Sequence, residues 1–225
     1  MAITVILPEN EGSAPLRELL EALLPAAGGG EFTSCLEGLR GRRLLFAVAL
    51  DGGGCNEGCY RMLGQLRRQP DLLAGCVAGL VVTGEGELYT KALARELVLA
   101  ADLAGCAFLG RPLVEATGSL QNFRVQAQLA GTDERTAYAL AVSELLDRLA
   151  GWTPLPPPER VLALHASVRS TSNTLALWEI VKRNIPPTVE VEEVSLRNGE
   201  IRDCVGCSYT ACLHFGERGG CFYGG

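Results

Sequence analysis

The chain has 225 residues, of which 48% are hydrophobic and 20% are charged. This composition is typical of a compact soluble protein with a sizeable core, and it excludes a fibrous or disordered chain. Lys and Arg number 20 against 26 Asp and Glu, a net charge of -6, which argues against nucleic acid or an anionic membrane surface as the main partner, because both need a basic footprint.

The N-terminal segment is a short apolar run that Pro8 interrupts at once, and no basic residue precedes it. Such a segment is typical of a strand and not of a signal peptide. Every longer apolar stretch is broken by Arg, Glu or Asp before it reaches the roughly 18 residues that a membrane span needs. We therefore expect a cytoplasmic protein with no membrane segment.

In the first half of the chain, apolar runs alternate with amphipathic segments. The predicted strands are 3–7, 44–50, 78–82 and 106–109, with 32–35 as a weaker candidate. The predicted helices are 16–24, 60–73 and 91–103, followed by a clear apolar helical stripe over 138–149. Apolar strands separated by helices indicate a parallel sheet covered on both faces, so residues 1–151 predict a doubly wound α/β domain of about five strands.

A proline-rich segment at 152–159 predicts a linker, because proline cannot continue the preceding helix. The pattern then restarts with a strand at 160–165, a helix at 173–184 and a strand at 189–196, which together predict one βαβ unit. Two strands and one helix bury too little surface to stand alone. We expect this second half to dock on the first domain, to pair with another chain, or to begin a longer domain.

The turn between strand 160–165 and the next helix is rich in hydrogen-bond donors. Hydroxyl and amide side chains accompany Arg169, whose planar cation suits a phosphate. At the carboxyl end of a parallel strand, the next helix also directs its free backbone N–H groups and its positive dipole end towards the same place. We interpret the turn as a site for a monophosphate dianion, since it matches neither a glycine-rich dinucleotide fingerprint nor a nucleotide-triphosphate loop.

This turn, Ser-Val-Arg-Ser-Thr-Ser-Asn-Thr at 167–174, resembles the phosphate loop of the NADPH-dependent FMN reductase family, including its iron-sulfur flavoprotein branch. Ala166 replaces the usual glycine, and the resemblance covers residues 160 to about 221. It implies a flavodoxin-like fold, FMN as cofactor, NAD(P)H as cosubstrate, a small-molecule electron acceptor and, because such flavoproteins commonly pair, a homo-oligomer. The residues that it assigns to the FMN phosphate are Ser167, Arg169, Ser172, Asn173 and Thr174.

Nine cysteines are many for a reducing compartment, and four of them cluster after the last predicted strand. Cys204, Cys207, Cys212 and Cys221 have the spacing C-x2-C-x4-C-x8-C, which allows tetrahedral ligation of zinc or of an iron-sulfur cubane. In the resembled family, cysteines at this position bind a four-iron four-sulfur cluster close to the flavin. A structural zinc, a redox-active Cys204/Cys207 pair and unliganded thiols are the alternatives.

Other polar and cysteine positions lie in the first half. Strand 3–7 runs into an acidic loop at 8–13 that lacks Arg and would repel a phosphate, so we interpret this half as a flavodoxin-like domain with a degenerate cofactor loop. We interpret the polar residues at the ends of later strands as helix caps and turn residues, and the expected caps are Asp51, Asn56 and Thr90. Among the cysteines, Cys35, Cys76 and Cys106 are expected in the core, and Cys55 and Cys59 on one helix face.

The sequence therefore predicts an α/β protein with a flavodoxin-like doubly wound parallel sheet, as a degenerate first unit at 1–151 and a partial second unit at 160–225. The leading functional hypothesis is an FMN-dependent, NAD(P)H-dependent flavin oxidoreductase that passes electrons to a small acceptor or through a cysteine-ligated iron-sulfur cluster. The alternative is a non-catalytic zinc-binding or interaction module on a pseudo-flavodoxin scaffold.

Overall fold

The computed structural model describes residues 2–8, 10, 12–154, 158–167, 171–197, 199, 206–208, 210 and 212. Contacts between Cα atoms divide the chain into two units, Met1–Thr153 and Pro154–Gly225. The division falls within the proline-rich segment 152–159. None of the helices in the described ranges has the length and apolar character needed to cross a bilayer.

Strands and helices alternate along the first unit. In chain order they are β1 (Ile3–Ile6), α1 (Ser13–Leu23), β2 (Gly30–Thr33), β3 (Arg43–Leu50), α2 (Glu57–Arg68), β4 (Val77–Gly84), α3 (Thr90–Leu103), β5 (Ala107–Ala116), a 3-10 turn at Gln121–Phe123, α4 (Arg124–Ala130) and α5 (Glu134–Ala150).

The strands form one sheet in the order β2-β1-β3-β4-β5, and each neighbouring pair is parallel. Successive side chains of a strand point to opposite faces, so the buried residues form two clusters. Leu44 and Phe46 of β3 pack with α2 and α3 on one face, while Leu45 and Ala47 pack with α1 and α5 on the other. The predicted flavodoxin-like, doubly wound parallel sheet is confirmed.

Two helices of the first unit differ from the predictions. Helix α2 ends at Arg68 and not at residue 73, because Pro70 lacks the backbone N–H that a continuing helix would need. Helix α4 was not predicted, since it carries no apolar stripe: Val125 and Leu129 are exposed and Ala127 alone is buried.

The second unit contains β6 (Arg160–His165), α6 (Asn173–Arg183) and β7 (Glu190–Ser195), close to the predicted bounds. Strands β6 and β7 pair in parallel along their full length. Side chains of β6 alternate between half-buried and exposed, with Leu162 and Leu164 on the exposed side, and α6 buries no residue in the described part of this unit. The described residues of this unit bury little apolar surface, as two strands and one helix are expected to do.

The cysteines of the first unit follow the predictions only in part. Cys76 and Cys106 are buried, as predicted, and burial raises the pKa of both thiols. Cys35 is exposed, so its predicted core position was wrong; the neighbouring Leu36 is the residue that packs inside. The predicted shared helix face of Cys55 and Cys59 was also wrong, because α2 begins after Cys55, which is exposed while Cys59 is buried.

Candidate functional site

The predicted phosphate turn lies between the carboxyl end of β6 and the N-terminus of α6. Ser167 stands two residues after the strand, Ser172 is the N-cap residue, and Asn173 and Thr174 are the first two residues of the helix. The structure thus brings Ser172, Asn173 and Thr174 together at one helix end. Arg169, the predicted phosphate cation, lies outside the described residues.

The first turn of α6 leaves two backbone donors for a ligand. The Ser172 hydroxyl oxygen accepts from the Leu175 N–H at 3.2 Å, and the Ser172 carbonyl accepts from the Ala176 N–H at 3.1 Å. The N–H groups of Asn173 and Thr174 have no acceptor among the described residues, as is usual at the start of a helix. The Ser172 hydroxyl also keeps its own proton available, because it acts as an acceptor in the cap.

A surface cleft of about 780 Å³ opens beside this helix end, and its walls include Ser172, Asn173, Glu179, Lys182 and Glu193. Lys182 pairs with Glu193 and holds the pKa of that carboxyl below its ordinary value. Glu193 is therefore ionised at neutral pH. The cleft combines a positive helix end with acidic side chains, so an anion is favoured only close to the helix N-terminus.

His165 borders the same cleft and was missed by the sequence reasoning. Its Nδ1 atom is buried and has no hydrogen-bond partner in the part of the chain that the structure describes. Buried polar atoms normally have partners. The available signal was a polar residue that follows the apolar run 161–164 and stands immediately before the phosphate turn.

The cysteine cluster is described only in part. Cys207 and Cys212 are exposed and carry free thiols, while Cys204 and Cys221 lie outside the described residues. The Cys212 N–H donates to the Ser208 carbonyl at 2.9 Å. No group of three or more His, Cys, Asp or Glu side chains that could hold a metal occurs among the described residues, so the four-cysteine ligand set stays a prediction.

In the first unit, the loop 8–13 corresponds to the phosphate turn, and hydrogen bonds between its own residues occupy the polar side chains that the structure describes there. The buried Ser13 hydroxyl donates to the Asn10 side-chain oxygen at 2.7 Å and accepts from the Asn10 N–H at 2.9 Å. The hydroxyl that could bind an anion at the start of α1 is thus already used.

The polar residues at the other strand ends mostly serve the fold. Asn56 is the N-cap of α2, as predicted. The predicted cap at Asp51 was wrong, because Asp51 accepts from the N–H groups of Gly53 and Cys55 and closes a turn instead. Thr90 is not a cap: it is the first residue of α3, and its buried hydroxyl donates to Glu115.

Comparisons with known proteins identify no relative from which a function could be transferred. No protein-family model, no curated protein and no solved structure matches this chain.

Proposed function

We propose that the protein is an FMN-dependent oxidoreductase that uses NAD(P)H and binds the FMN phosphate at the turn 167–174. The observation that carries the proposal is the position of this turn: a Ser-capped helix N-terminus directly follows the carboxyl end of a parallel strand. In open α/β sheets, anionic ligands bind at such places because helix dipole and free N–H groups converge there.

The described residues fit a phosphate in number and type. The Asn173 and Thr174 N–H groups and the Ser172 hydroxyl supply three donors at one helix end. Ser167 and Arg169 would add a hydroxyl and a bidentate cation from the same turn. The acidic Glu179 and Glu193 line the cleft further along and would repel a phosphate there, which leaves the helix end at Ser172 as the favourable position.

When bound, FMN would supply the two-electron chemistry that takes hydride from NAD(P)H, while the protein binds and orients the cofactor. His165, with an unpaired Nδ1 on the wall of the cleft, offers one polar contact to a ligand there. Cys204, Cys207, Cys212 and Cys221 would hold a four-iron four-sulfur cluster that passes electrons to a small acceptor. In this proposal the protein is a cytoplasmic homo-oligomer.

Charge at the helix cap provides the sharpest test. Ser172→Asp keeps an equally good N-cap but sets a carboxylate where the phosphate would bind, so we expect at least about a tenfold loss of FMN affinity from like-charge repulsion. Thr188→Asp is the matched control, because it adds the same charge to an exposed turn outside the cleft. Binding is measured by FMN fluorescence quenching with the full chain, and equal affinity in both variants would contradict the proposal.

A second experiment separates the oxidoreductase from the zinc module. Anaerobically purified full-length protein is analysed for flavin, iron, sulfide and zinc, and NAD(P)H oxidation is followed with FMN added. Bound FMN with NAD(P)H oxidation supports the proposal. Stoichiometric zinc in a protein that takes up no FMN favours the non-catalytic module.

A further inference from the structure

The first unit contains a cavity of about 410 Å³ at the carboxyl edge of its sheet. Its floor is formed by the ends of β3, β4 and β5, and its sides by α1 and the N-terminal half of α5. This volume lies within the usual range for sites that bind small molecules, and such sites occur at this edge of open α/β sheets. The cavity belongs to the first unit and is independent of the function proposed above.

Tyr138 of α5 lines this cavity and has an unsatisfied hydroxyl group. The side chain is only 8% exposed, and its oxygen atom is buried without a hydrogen-bond partner among the described residues. The ring packs at a tilted angle against Phe123, with centroids 5.5 Å apart, so it is held in place by the core. A buried tyrosine hydroxyl usually has a partner. The oxygen has almost no accessible surface, so a ligand in the cavity reaches it only when a neighbouring side chain moves aside.

The protonation state of Tyr138 makes it a donor. Burial raises the pKa of the phenol well above its ordinary value, so the hydroxyl is protonated at every physiological pH. A protonated phenol can donate one hydrogen bond to a carbonyl or carboxylate oxygen. Tyr138 is therefore an uncharged donor in the wall of the cavity.

Arg135 supplies a cation on the same wall. It lies three residues before Tyr138 in α5, a spacing that puts both side chains on one helix face, and it also lines the cavity. Arg135 has no ion pair among the described residues. A guanidinium beside a phenol hydroxyl is well suited to a carboxylate, which accepts from both.

The remaining walls select the ligand further. Leu16, Leu19 and Leu120 give the cavity an apolar side. Glu85 also lines it and offsets the charge of Arg135, so nothing in the lining compensates the larger desolvation cost of a dianion. The combination favours a single negative charge on an apolar body and disfavours a phosphate.

We propose that this cavity binds a small, largely apolar carboxylic acid, whose carboxylate accepts hydrogen bonds from the Tyr138 hydroxyl and the Arg135 guanidinium. The apolar body of the ligand lies against Leu16, Leu19 and Leu120. Neither FMN nor a metal takes part.

The test uses the full chain with two probes, phenylacetate and 4-methylpentanoate, and phenyl phosphate as the dianionic comparator. Binding is followed by ligand-observed NMR titration. Tyr138→Phe removes only the hydroxyl, and we expect it to weaken binding of the carboxylates about 10- to 100-fold, the usual effect of a lost hydrogen bond to a charged group. Arg135→Gln should weaken it by a similar factor.

Arg95→Gln is the matched control, because Arg95 is exposed on α3 and does not line the cavity; carboxylate affinity should be unchanged. A fold control comes from melting temperature without ligand: Tyr138→Phe should melt at the same temperature as the parent or higher, since the hydroxyl it lacks had no partner. FMN affinity should not differ between Tyr138→Phe and the parent.

Two results would overturn the proposal. One is failure of both carboxylates to bind the parent protein saturably below about 10 mM, a weak limit for ligands of this size. The other is equal carboxylate affinity in the parent and in Tyr138→Phe. Tighter binding of phenyl phosphate than of phenylacetate would also contradict it, because the cavity would then be a phosphate site.

Discussion

The side-chain amide of Asn56 donates to the backbone carbonyl of Ala49 at 2.8 Å, at the carboxyl end of β3. The same nitrogen donates to the Pro8 carbonyl at 3.2 Å, and the side-chain oxygen accepts from the Cys59 N–H at 2.8 Å. Asn56 is 1% exposed. One buried side chain thus joins the segment after β1, the end of β3 and the start of α2.

Asn56→Ala should therefore destabilise the first unit strongly. The substitution removes the N-cap of α2 and one donor from each of two carbonyls, although the Ala49 carbonyl keeps the Asn10 amide at 2.9 Å, and together these losses should cost about 2 to 4 kcal/mol. The free energy of unfolding is measured by urea denaturation. Asn122→Ala is the control, because the exposed Asn122 amide also donates to a carbonyl, that of Glu115, but water can replace it; a cost below about 1 kcal/mol is expected. Similar costs for both variants would refute the assigned role of Asn56.

The close approach of two loops at the same edge leads to a second prediction. A Cβ atom at Gly118 would lie 2.1 Å from the Glu85 carbonyl oxygen, and the Gly118 N–H donates to the Gly86 carbonyl at 3.0 Å. Gly118→Ala must separate these backbones, so we expect a loss of about 1 to 3 kcal/mol in unfolding free energy.

Gly86→Ala is the matched control for this substitution. The position lies in the facing loop, and a Cβ atom there would meet nothing within 4 Å. We expect a change within about 0.5 kcal/mol. If Gly86→Ala costs as much as Gly118→Ala in the same urea titration, steric contact with Glu85 is not the cause.

The fold could be predicted because its strands are continuous apolar runs. Strand β3, with seven fully buried residues in succession, shows this pattern most clearly, and β6 begins and ends at the predicted residues. The order of the strands could not be predicted in the same way, because the position of β2 at the sheet edge depends on its pairing with β1. Helix α4 was missed because few of its side chains are buried.

The candidate sites were less predictable, because their contacts join residues that are distant in sequence. Thr90 has the appearance of a helix cap, but its hydroxyl bonds to Glu115, 25 residues away. Tyr138 fits the apolar stripe of α5 as a core residue. That its hydroxyl lacks a partner, and that Tyr138 lines a cavity, depends on contacts with distant strand ends that the sequence does not show.

The described cysteines should differ sharply in their reaction with a thiol reagent. Cys35, Cys55, Cys207 and Cys212 are exposed, while Cys59, Cys76 and Cys106 are buried. Burial raises the pKa of the buried thiols and so removes the reactive thiolate. With iodoacetamide at pH 8 in native buffer, mass spectrometry of peptides should find the exposed group labelled and the buried group protected. Labelling of Cys59 as fast as Cys55 would contradict the packing of α2, and a sample in denaturant shows that all sites can react.

The same burial predicts a loss of stability at alkaline pH. Burial, with a smaller contribution from Glu96, raises the pKa of Cys59 from 9.0 to about 12. A folded-state pKa above the unfolded value gives a contribution that is complete below pH 9 and is lost as the pH rises towards 12. The unfolding free energy of the parent should therefore fall across this range, and Cys59→Ala, though less stable at pH 7 through the cavity it creates, should fall less steeply. Cys55→Ala, at an exposed thiol, should follow the parent. Parallel pH profiles for the parent and Cys59→Ala would show that the pKa of the Cys59 thiol is the same in the folded and unfolded states. That result would contradict the buried position that the structure gives to Cys59.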